Sequence, residues 1–174
     1  SDNIHVLLDD LTYANGFPID LGDRIQSEPA IYDTGDEKII LTGCKNNNFY
    51  AINFSDASLR FTIPTGDDVY TSPSFNNNNI YFGSDDGNIY AVDYNGNMLE
   101  GYPHFIGSEI IGSIVFAGNE NEDIMFIGTS SGDLYAYYND LELLPNFPVS
   151  HEFSIASSPM VMDIDSDGDV EVLC

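Results

Sequence analysis

Short runs of β-branched and aromatic residues, separated by clusters of Gly, Asn and Asp, recur along the whole chain. The clearest unit covers residues 70–96. Residues 72–75 open an extended segment, 76–79 make a turn, and Ile80-Tyr-Phe82 is a strand. Residues 83–87 turn again, Ile89-Tyr-Ala-Val92 is a further strand, and Asn95-Gly96 is a hairpin signal. No stretch sustains apolar residues at i, i+3, i+4 and i+7, so the pattern predicts strands and no helix.

The unit repeats. Tyr-Ala recurs at Tyr50-Ala51, Tyr90-Ala91 and Tyr135-Ala136, each after a glycine-led turn at Gly43, Gly83 and Gly128. An apolar strand precedes each turn: Lys38-Ile-Ile-Leu-Thr42, Ile80-Tyr-Phe82 and Asp123-Ile-Met-Phe-Ile127. Earlier still in each unit come Glu28-Pro-Ala-Ile31, Ser72-Pro-Ser-Phe75, Ser113-Ile-Val-Phe116 and Ser158-Pro-Met-Val161. A further marker is Gly16-Phe-Pro18, Gly101-Tyr-Pro103 and Asn146-Phe-Pro148.

The ends of the chain fit the same scheme. Asn3-Ile-His-Val-Leu-Leu8 aligns without a gap on Asn88-Ile-Tyr-Ala-Val-Asp93, and Glu171-Val-Leu-Cys174 matches the second strand of a unit. The expected organisation is one domain over 1–174: a half blade at 1–22, whole blades near 23–64, 65–104 and 105–150, and a half blade at 151–174. Four short strands in 40–45 residues is the signature of a β-propeller blade. A four-stranded antiparallel sheet has two apolar faces, and radial stacking buries both. A β-sandwich or β-solenoid is the competing reading, but a sandwich has no reason to repeat Gly-x-x-x-Gly-x-Ile/Leu-Tyr-Ala. The fold class expected is all-β, a propeller of four-stranded antiparallel blades with about four blade-equivalents. Closed four-bladed ring, half of an eight-bladed ring and piece of a larger propeller all fit, with part or half of a larger ring expected. A second copy or further chain segments would then complete it, since an unpaired half blade exposes strand edges.

Composition narrows the partners. The 174 residues include 29 Asp and Glu against four Lys and Arg, for a formal net charge of −25. Such a chain offers no basic footprint for nucleic acid and repels anionic membrane surfaces. No run of about 18 apolar residues is present to span a membrane. Cys44 and Cys174 are read as equivalent, small, buried repeat positions and not as a disulfide. No signal peptide is visible, although the chain starts in mid-pattern.

One stretch carries a chemical motif: Asp163-Ile-Asp-Ser-Asp-Gly-Asp-Val-Glu171. Acidic side chains fall at positions 1, 3, 5 and 9, with Gly168 at position 6. Ca²⁺ takes six to eight oxygens at about 2.3–2.6 Å, and Gly permits the curl that brings position 9 back to the ion. The predicted ligands are the side chains of Asp163, Asp165, Asp167 and Glu171 and the backbone carbonyl of Asp169. Strands flank this loop where an EF-hand has helices, and closure comes at position 9 and not 12. Without a cation, clustered carboxylates repel one another; an acidic turn without metal is the plainer alternative. The turn over 118–123 is acidic but out of register.

Other candidates are weaker. His5, His104 and His151 share no ligand spacing, and His5 aligns with the repeat tyrosines, so it is expected to pack in a blade. Tyr50, Tyr90 and Tyr135 are expected in the core. Asn53-Phe-Ser55 matches a glycosylation sequon at a recurring strand end. No catalytic residue is assigned: no Ser-His-Asp order stands out and no carboxylate pair is singled out, which leaves a glycosidase open by count alone.

The repeat Ile-Tyr-Phe-Gly-Ser-Asp-Asp-Gly-Asn-Ile-Tyr-Ala-Val-Asp resembles the blade of quinoprotein-like (PQQ-like) β-propellers. The last unit, 157–173, resembles the FG-GAP (VCBS) repeat of integrin α-chains and bacterial secreted proteins, and the Gly-Phe/Tyr-Pro marker looks like the Gly-Trp-Pro element of bacterial surface proteins. The resemblance implies a calcium-stabilised extracellular or cell-surface propeller, bacterial in source, used for adhesion, binding or scaffolding toward a protein or glycan. Its calcium ligands map onto Asp163, Asp165, Asp167, Asp169 and Glu171. The chain lacks the Trp usual in quinoprotein blades and any recognisable quinone site, so no quinone is expected. The alternative functions are the propeller portion of a secreted polysaccharide-active hydrolase or lyase, and a scaffold for outer-membrane protein assembly.

Overall fold

A computed structural model of the chain describes residues 2–119, 122–165 and 170–174. Its elements in order are β1 (Asn3–Ile4), β2 (Ile19–Asp20), β3 (Ala30–Asp33), β4 (Lys38–Cys44), β5 (Asn48–Asn53), β6 (Leu59–Pro64), β7 (Ser74–Asn76), β8 (Asn79–Gly83), β9 (Asn88–Val92), β10 (His104–Phe105), β11 (Val115–Asn119), β12 (Glu122–Gly128), β13 (Asp133–Tyr138), β14 (Val149–Ser150), β15 (Met160–Met162) and β16 (Glu171–Leu173). They form three four-stranded antiparallel sheets, β3–β6, β7–β10 and β11–β14, and two two-stranded sheets, β1–β2 and β15–β16. Within each sheet the strands pair in chain order, the up-and-down meander of a propeller blade.

The first and second strands, and the second and third, pair in the same register in every blade, while β5 and β6 carry a register shift between Ala51 and Ile52. Leu41 faces Ala51, Tyr81 faces Ala91 and Phe126 faces Ala136. Asn3 pairs with Asp20 as Asn88 does with Phe105 and Asp133 with Ser150, so β1 and β2 are the third and fourth strands of a blade. Met160 pairs with Leu173 as Ser74 does with Tyr81, so β15 and β16 are a first and second strand. The proline that follows each aromatic of the marker, Pro18, Pro103 and Pro148, is cis.

Apolar residues on both faces of each sheet form the core between blades. Ile39, Leu41 and Phe49 of the first whole blade pack on Ile80, Phe82 and Val92 of the second. Phe49 and Phe82 lie face to face across this junction, 4.0 Å between centroids and 4° from parallel, and Tyr90 stacks on Phe82 at 5.0 Å. Tyr81, Ile89 and Ala91 pack in turn on Ile114, Met125 and Ile127. On the other side Ile4, Ala14 and Phe17 cover Ile40, Tyr50 and Ile52.

A second device spaces the blades. Gly43, Gly83 and Gly128 lie at or one residue before the end of the second strand of each blade, and a Cβ there would lie 2.8 Å from Val69 Cβ, 2.6 Å from Ile110 Cβ and 2.9 Å from Ile155 Cβ respectively. Each of these residues lies in the connection leading into the next blade, and each is buried. A seryl hydroxyl repeats beside it: the Glu28 amide donates to Ser72 Oγ at 3.0 Å, and the Ser113 amide donates to Ser158 Oγ at 2.9 Å. The β15–β16 half blade is thus clasped to its predecessor as a whole blade is.

The cysteines are not equivalent. Cys44 lies three residues past Leu41 and is buried, whereas Cys174 lies one residue past Leu173, in the register of Phe82 and Ile127, and is exposed. Burial of Cys174 and its equivalence to Cys44 are therefore corrected: chain-end similarity misjudged an offset that strand pairing defines. His5 occupies the position of the buried Tyr50 and Tyr90, but it stands exposed, β1 pairing among the described residues with β2 alone.

Candidate metal centre

The loop between β15 and β16 is the longest of the turns joining a first to a second strand. Its counterpart in the β7–β10 sheet is the two-residue turn Asn77-Asn78, with φ of 49° and 64°, the geometry that favours Asn in a tight hairpin. Because Met162 pairs with Glu171, Asp163 leaves the first strand just as Glu171 enters the second. The ladder therefore brings the two ends of the motif together whatever the loop between them does.

Among the described residues, one carboxylate oxygen each from Asp163, Asp165 and Glu171 lies within 4.8 Å of the others. Two oxygens held about 2.3–2.6 Å from one ion can be at most about 5 Å apart, so these three fit a single Ca²⁺. The Ile164 amide donates to Glu171 Oε2 at 2.8 Å, which tethers the start of the loop to its closing carboxylate. A carboxylate has about four lone-pair sites, so Glu171 retains capacity for a cation. Asp163 and Asp165 are exposed and Glu171 is half-buried. Asp167, Gly168 and Asp169, the remaining predicted members, lie outside the described residues. In the 118–123 turn, Asp123 accepts hydrogen bonds from the side-chain amides of Asn76 and Asn77 at 3.1 and 3.0 Å, a link between neighbouring blades.

A second acidic group was not legible in the sequence. Asp85 sits in the turn after β8, with Oδ1 buried and without a hydrogen-bond partner. Burial, together with the charges of Glu109, Asp67 and Asp68, pushes its carboxyl up to about 6. Lys45 answers part of this charge through a 2.9 Å ion pair with Asp68. The cavity beside Asp85 and Glu109 holds about 220 Å³, below the roughly 300–1,000 Å³ of small-molecule sites, so it does not favour a sugar-cleaving centre. Sequence offered no signal for it, because three separate loops assemble its surroundings.

The repeat tyrosines are structural. Tyr50 and Tyr90 are buried, Tyr135 packs at the edge of the core, and Tyr90 Oη donates to Asp86 at 2.6 Å. His104 is half-buried edge-on to Tyr137 at 5.1 Å, and burial lowers its pKa. The side-chain amide of Asn53, in the sequon, donates to Ser58 Oγ at 2.9 Å, and its oxygen accepts from Arg60 at 3.3 Å. Seven of the acidic side chains outside the metal loop serve turns. Asp10, Asp20, Asp33, Asp56, Asp86, Asp93 and Asp140 each accept the backbone N–H two residues ahead, at 2.7–3.0 Å, the Asx-turn arrangement.

No family model matches the chain, and no curated protein matches it. Solved structures do. The computationally designed Ika4 protein superposes with a TM-score of 0.60 at 19% identity, covering 87% of this chain and 91% of that one. BamB from Moraxella catarrhalis, a PQQ-like β-propeller, gives 0.63 at 15% identity, covering 85% of this chain and 44% of BamB. BBS1N, crystallised in complex with ARL6DN, gives 0.59 at 14% identity over 91% of this chain and 52% of that chain. The chain thus matches about half the length of BamB and BBS1N. With its antiparallel four-stranded sheets and no helix among the described residues, it has an all-β, β-propeller fold.

Proposed function

We propose that the chain is a calcium-stabilised, non-enzymatic propeller of the FG-GAP (VCBS) type, an extracellular binding or scaffold module for a protein or glycan. The observation that carries this reading is the convergence of Asp163, Asp165 and Glu171 oxygens at the mouth of the β15–β16 hairpin. Ca²⁺ would join the two strands of a short sheet through their connecting loop and cancel charge in a strongly acidic chain. Propeller neighbours that are themselves a complex-forming domain and a PQQ-like propeller support a module that presents surfaces.

The test is a melting curve with Ca²⁺ and with chelator. A ligand that binds only the folded state at about 100 times its Kd adds about 2.7 kcal/mol. For a domain of this length that corresponds to roughly 5–11 °C. With an affinity typical of extracellular modules, Kd about 0.1–1 mM, Ca²⁺ at about 10 mM adds about 1.4–2.7 kcal/mol and should raise the melting temperature of the native chain by roughly 3–11 °C while leaving Asp165→Ala unmoved. Identical curves with Ca²⁺ and with EDTA would refute a structural ion here.

A further inference from the structure

One pair of positions recurs where neighbouring blades meet, and it carries different side chains each time. Lys45, Asp85 and Ser130 lie two residues past Gly43, Gly83 and Gly128. Their backbone N–H groups donate alike to the connection that enters their own blade: Lys45 to the Arg24 carbonyl at 3.0 Å, Asp85 to Asp68 at 2.9 Å and Ser130 to Glu109 at 3.0 Å. Arg24, Asp68 and Glu109 are themselves equivalent, each directly before the apolar residue of its connection, Ile25, Val69 or Ile110. Between the first and second whole blades the pair is thus Lys45 and Asp68. Between the second and third it is Asp85 and Glu109.

The first pair is a cation held by an acid. Lys45 Nζ lies 2.9 Å from Asp68 Oδ2 and 4.9 Å from the centroid of the Tyr70 ring, and it donates to Tyr70 Oη. The second pair is two acids. Asp85 and Glu109 line a cavity of about 220 Å³ together with Phe105, Ser108 and Ser130. Asp85 Oδ1 is buried and accepts no hydrogen bond, and a buried acceptor left unpaired is destabilising. Its neighbour Asp86 is fully engaged, by the Asn88 N–H on one oxygen and by the Gly66 N–H and Tyr90 Oη on the other. Phe105, in the cavity wall, is 68% exposed. Burial first, then the charges of Glu109, Asp67 and Asp68, push the Asp85 carboxyl up to about 6, against the opposing charge of Lys45. The second junction therefore has the acids and the aromatic ring of the first, without its ammonium.

We propose that this cavity binds a primary alkylammonium, such as the head of a lysine side chain, with the ammonium donating to Asp85 Oδ1 and Glu109 and the alkyl stem lying against Phe105. An ammonium brings three donors and no acceptor, which suits two carboxylates, and an aromatic face attracts it further. A metal ion suits the cavity less well. Ca²⁺ takes about six to eight oxygens, and among the described residues no third Asp, Glu, His or Cys joins Asp85 and Glu109 in a ligand set. The cavity is smaller than the roughly 300–1,000 Å³ of larger ligand sites, which fits one side-chain head. It lies between two whole blades and apart from the 163–171 loop, so it does not rest on the calcium reading.

Amide shifts of the ¹⁵N-labelled chain, titrated with N-acetyl-lysine methylamide near pH 7, read the site residue by residue. Salt near physiological strength, where the Debye length is about 8 Å, screens general attraction to the acidic surface. The amides of Asp85, Gly87, Glu109 and Ser130 should shift together and saturate. The ε-acetylated probe, with the same stem and no charge, should bind at least about tenfold more weakly. n-Butylamine, a stem and ammonium without a backbone, should bind within about threefold of the lysine probe, since the cavity holds those parts alone. Asp85→Asn should weaken binding at least about tenfold. Glu100→Gln, which removes the same charge from an exposed position elsewhere, should change it less than about twofold. Lowering the pH from 7 to 5 should weaken binding about tenfold, as Asp85 takes up its proton near 6 in competition with the amine. Shifts spread over the acidic surface without saturation overturn the proposal. So do an ε-acetylated probe that binds equally, a butylamine that fails to bind, or an Asp85→Asn chain that binds like the native one. Ca²⁺ should leave these amides in place, and Ca²⁺ saturating them at lower concentration than the amine overturns the choice of ligand.

Discussion

Replacing Gly83 by Ala places a methyl group where the next blade enters. The added Cβ would lie 2.6 Å from Ile110 Cβ and 3.2 Å from Thr71 Cγ2, against ordinary carbon contacts of about 3.5–4.0 Å. Ile110 is fully buried and its backbone N–H donates to the Ser84 carbonyl at 3.2 Å, so relief requires the whole connection to shift by about 1 Å. Overpacking of this kind costs about 1–3 kcal/mol, and the position of the clash at a blade junction argues for the upper half of that range. For a chain of this length each kcal/mol lowers the melting temperature by roughly 2–4 °C, so Gly83→Ala should melt about 4–12 °C lower. Ile110→Ala alone should cost about 2–5 kcal/mol through lost burial and the cavity left behind. In the double variant the new methyl occupies part of that cavity, so the combined cost should fall short of the sum by at least about 1 kcal/mol. Denaturant titration of the four proteins measures the cycle. Additive costs within about 0.5 kcal/mol would refute the account in which the glycine exists to admit its neighbour's side chain.

Two other variants test the core and the buried acid. Phe82→Ala, which empties the stack between Phe49 and Tyr90, should cost about 3–5 kcal/mol, and a loss below about 1 kcal/mol would show that these rings do not join the blades. Asp85 holds its proton more tightly folded, at about 6, than its ordinary 3.8. Its contribution to stability is thus greatest below pH 4 and lost as pH climbs through 6. Asp85→Asn should melt higher than the native chain at pH 7, by about 1 kcal/mol once the group's partial exposure is discounted, and the two should converge near pH 4; parallel profiles across that window would sink the argument.

The blade was legible because its signals are local. Alternating apolar residues, a glycine after the second strand and the Tyr-Ala dipeptide sit within one unit, and their spacing survives in all three. Even the gapless match of Asn3–Leu8 to Asn88–Asp93 reappears as equal pairing register. What was not legible joins residues from different units. Nothing in the sequence beside Gly83 announces Ile110, which lies 27 positions on, and nothing beside Asp85 announces Asp67 and Glu109. The same limit explains the cysteines: Glu171-Val-Leu-Cys174 looks like a strand ending at a repeat turn until Met160 opposite Leu173 defines how far the strand has run. The metal loop lies between these cases. Its residue types and spacing are local, but only the Met162–Glu171 pair brings its first and last carboxylates together.

The seven turn-forming aspartates separate the protein's charge from its shape. Asn offers the same side-chain oxygen to the same backbone N–H, so each such Asp keeps its turn hydrogen bond when exchanged for Asn, except Asp86, whose second oxygen also accepts from the Gly66 N–H and Tyr90 Oη. Six exchanges would take the formal charge from −25 to −19. The surface potential of this fold is therefore an adjustable property, open to drift or to redesign for a different ionic setting.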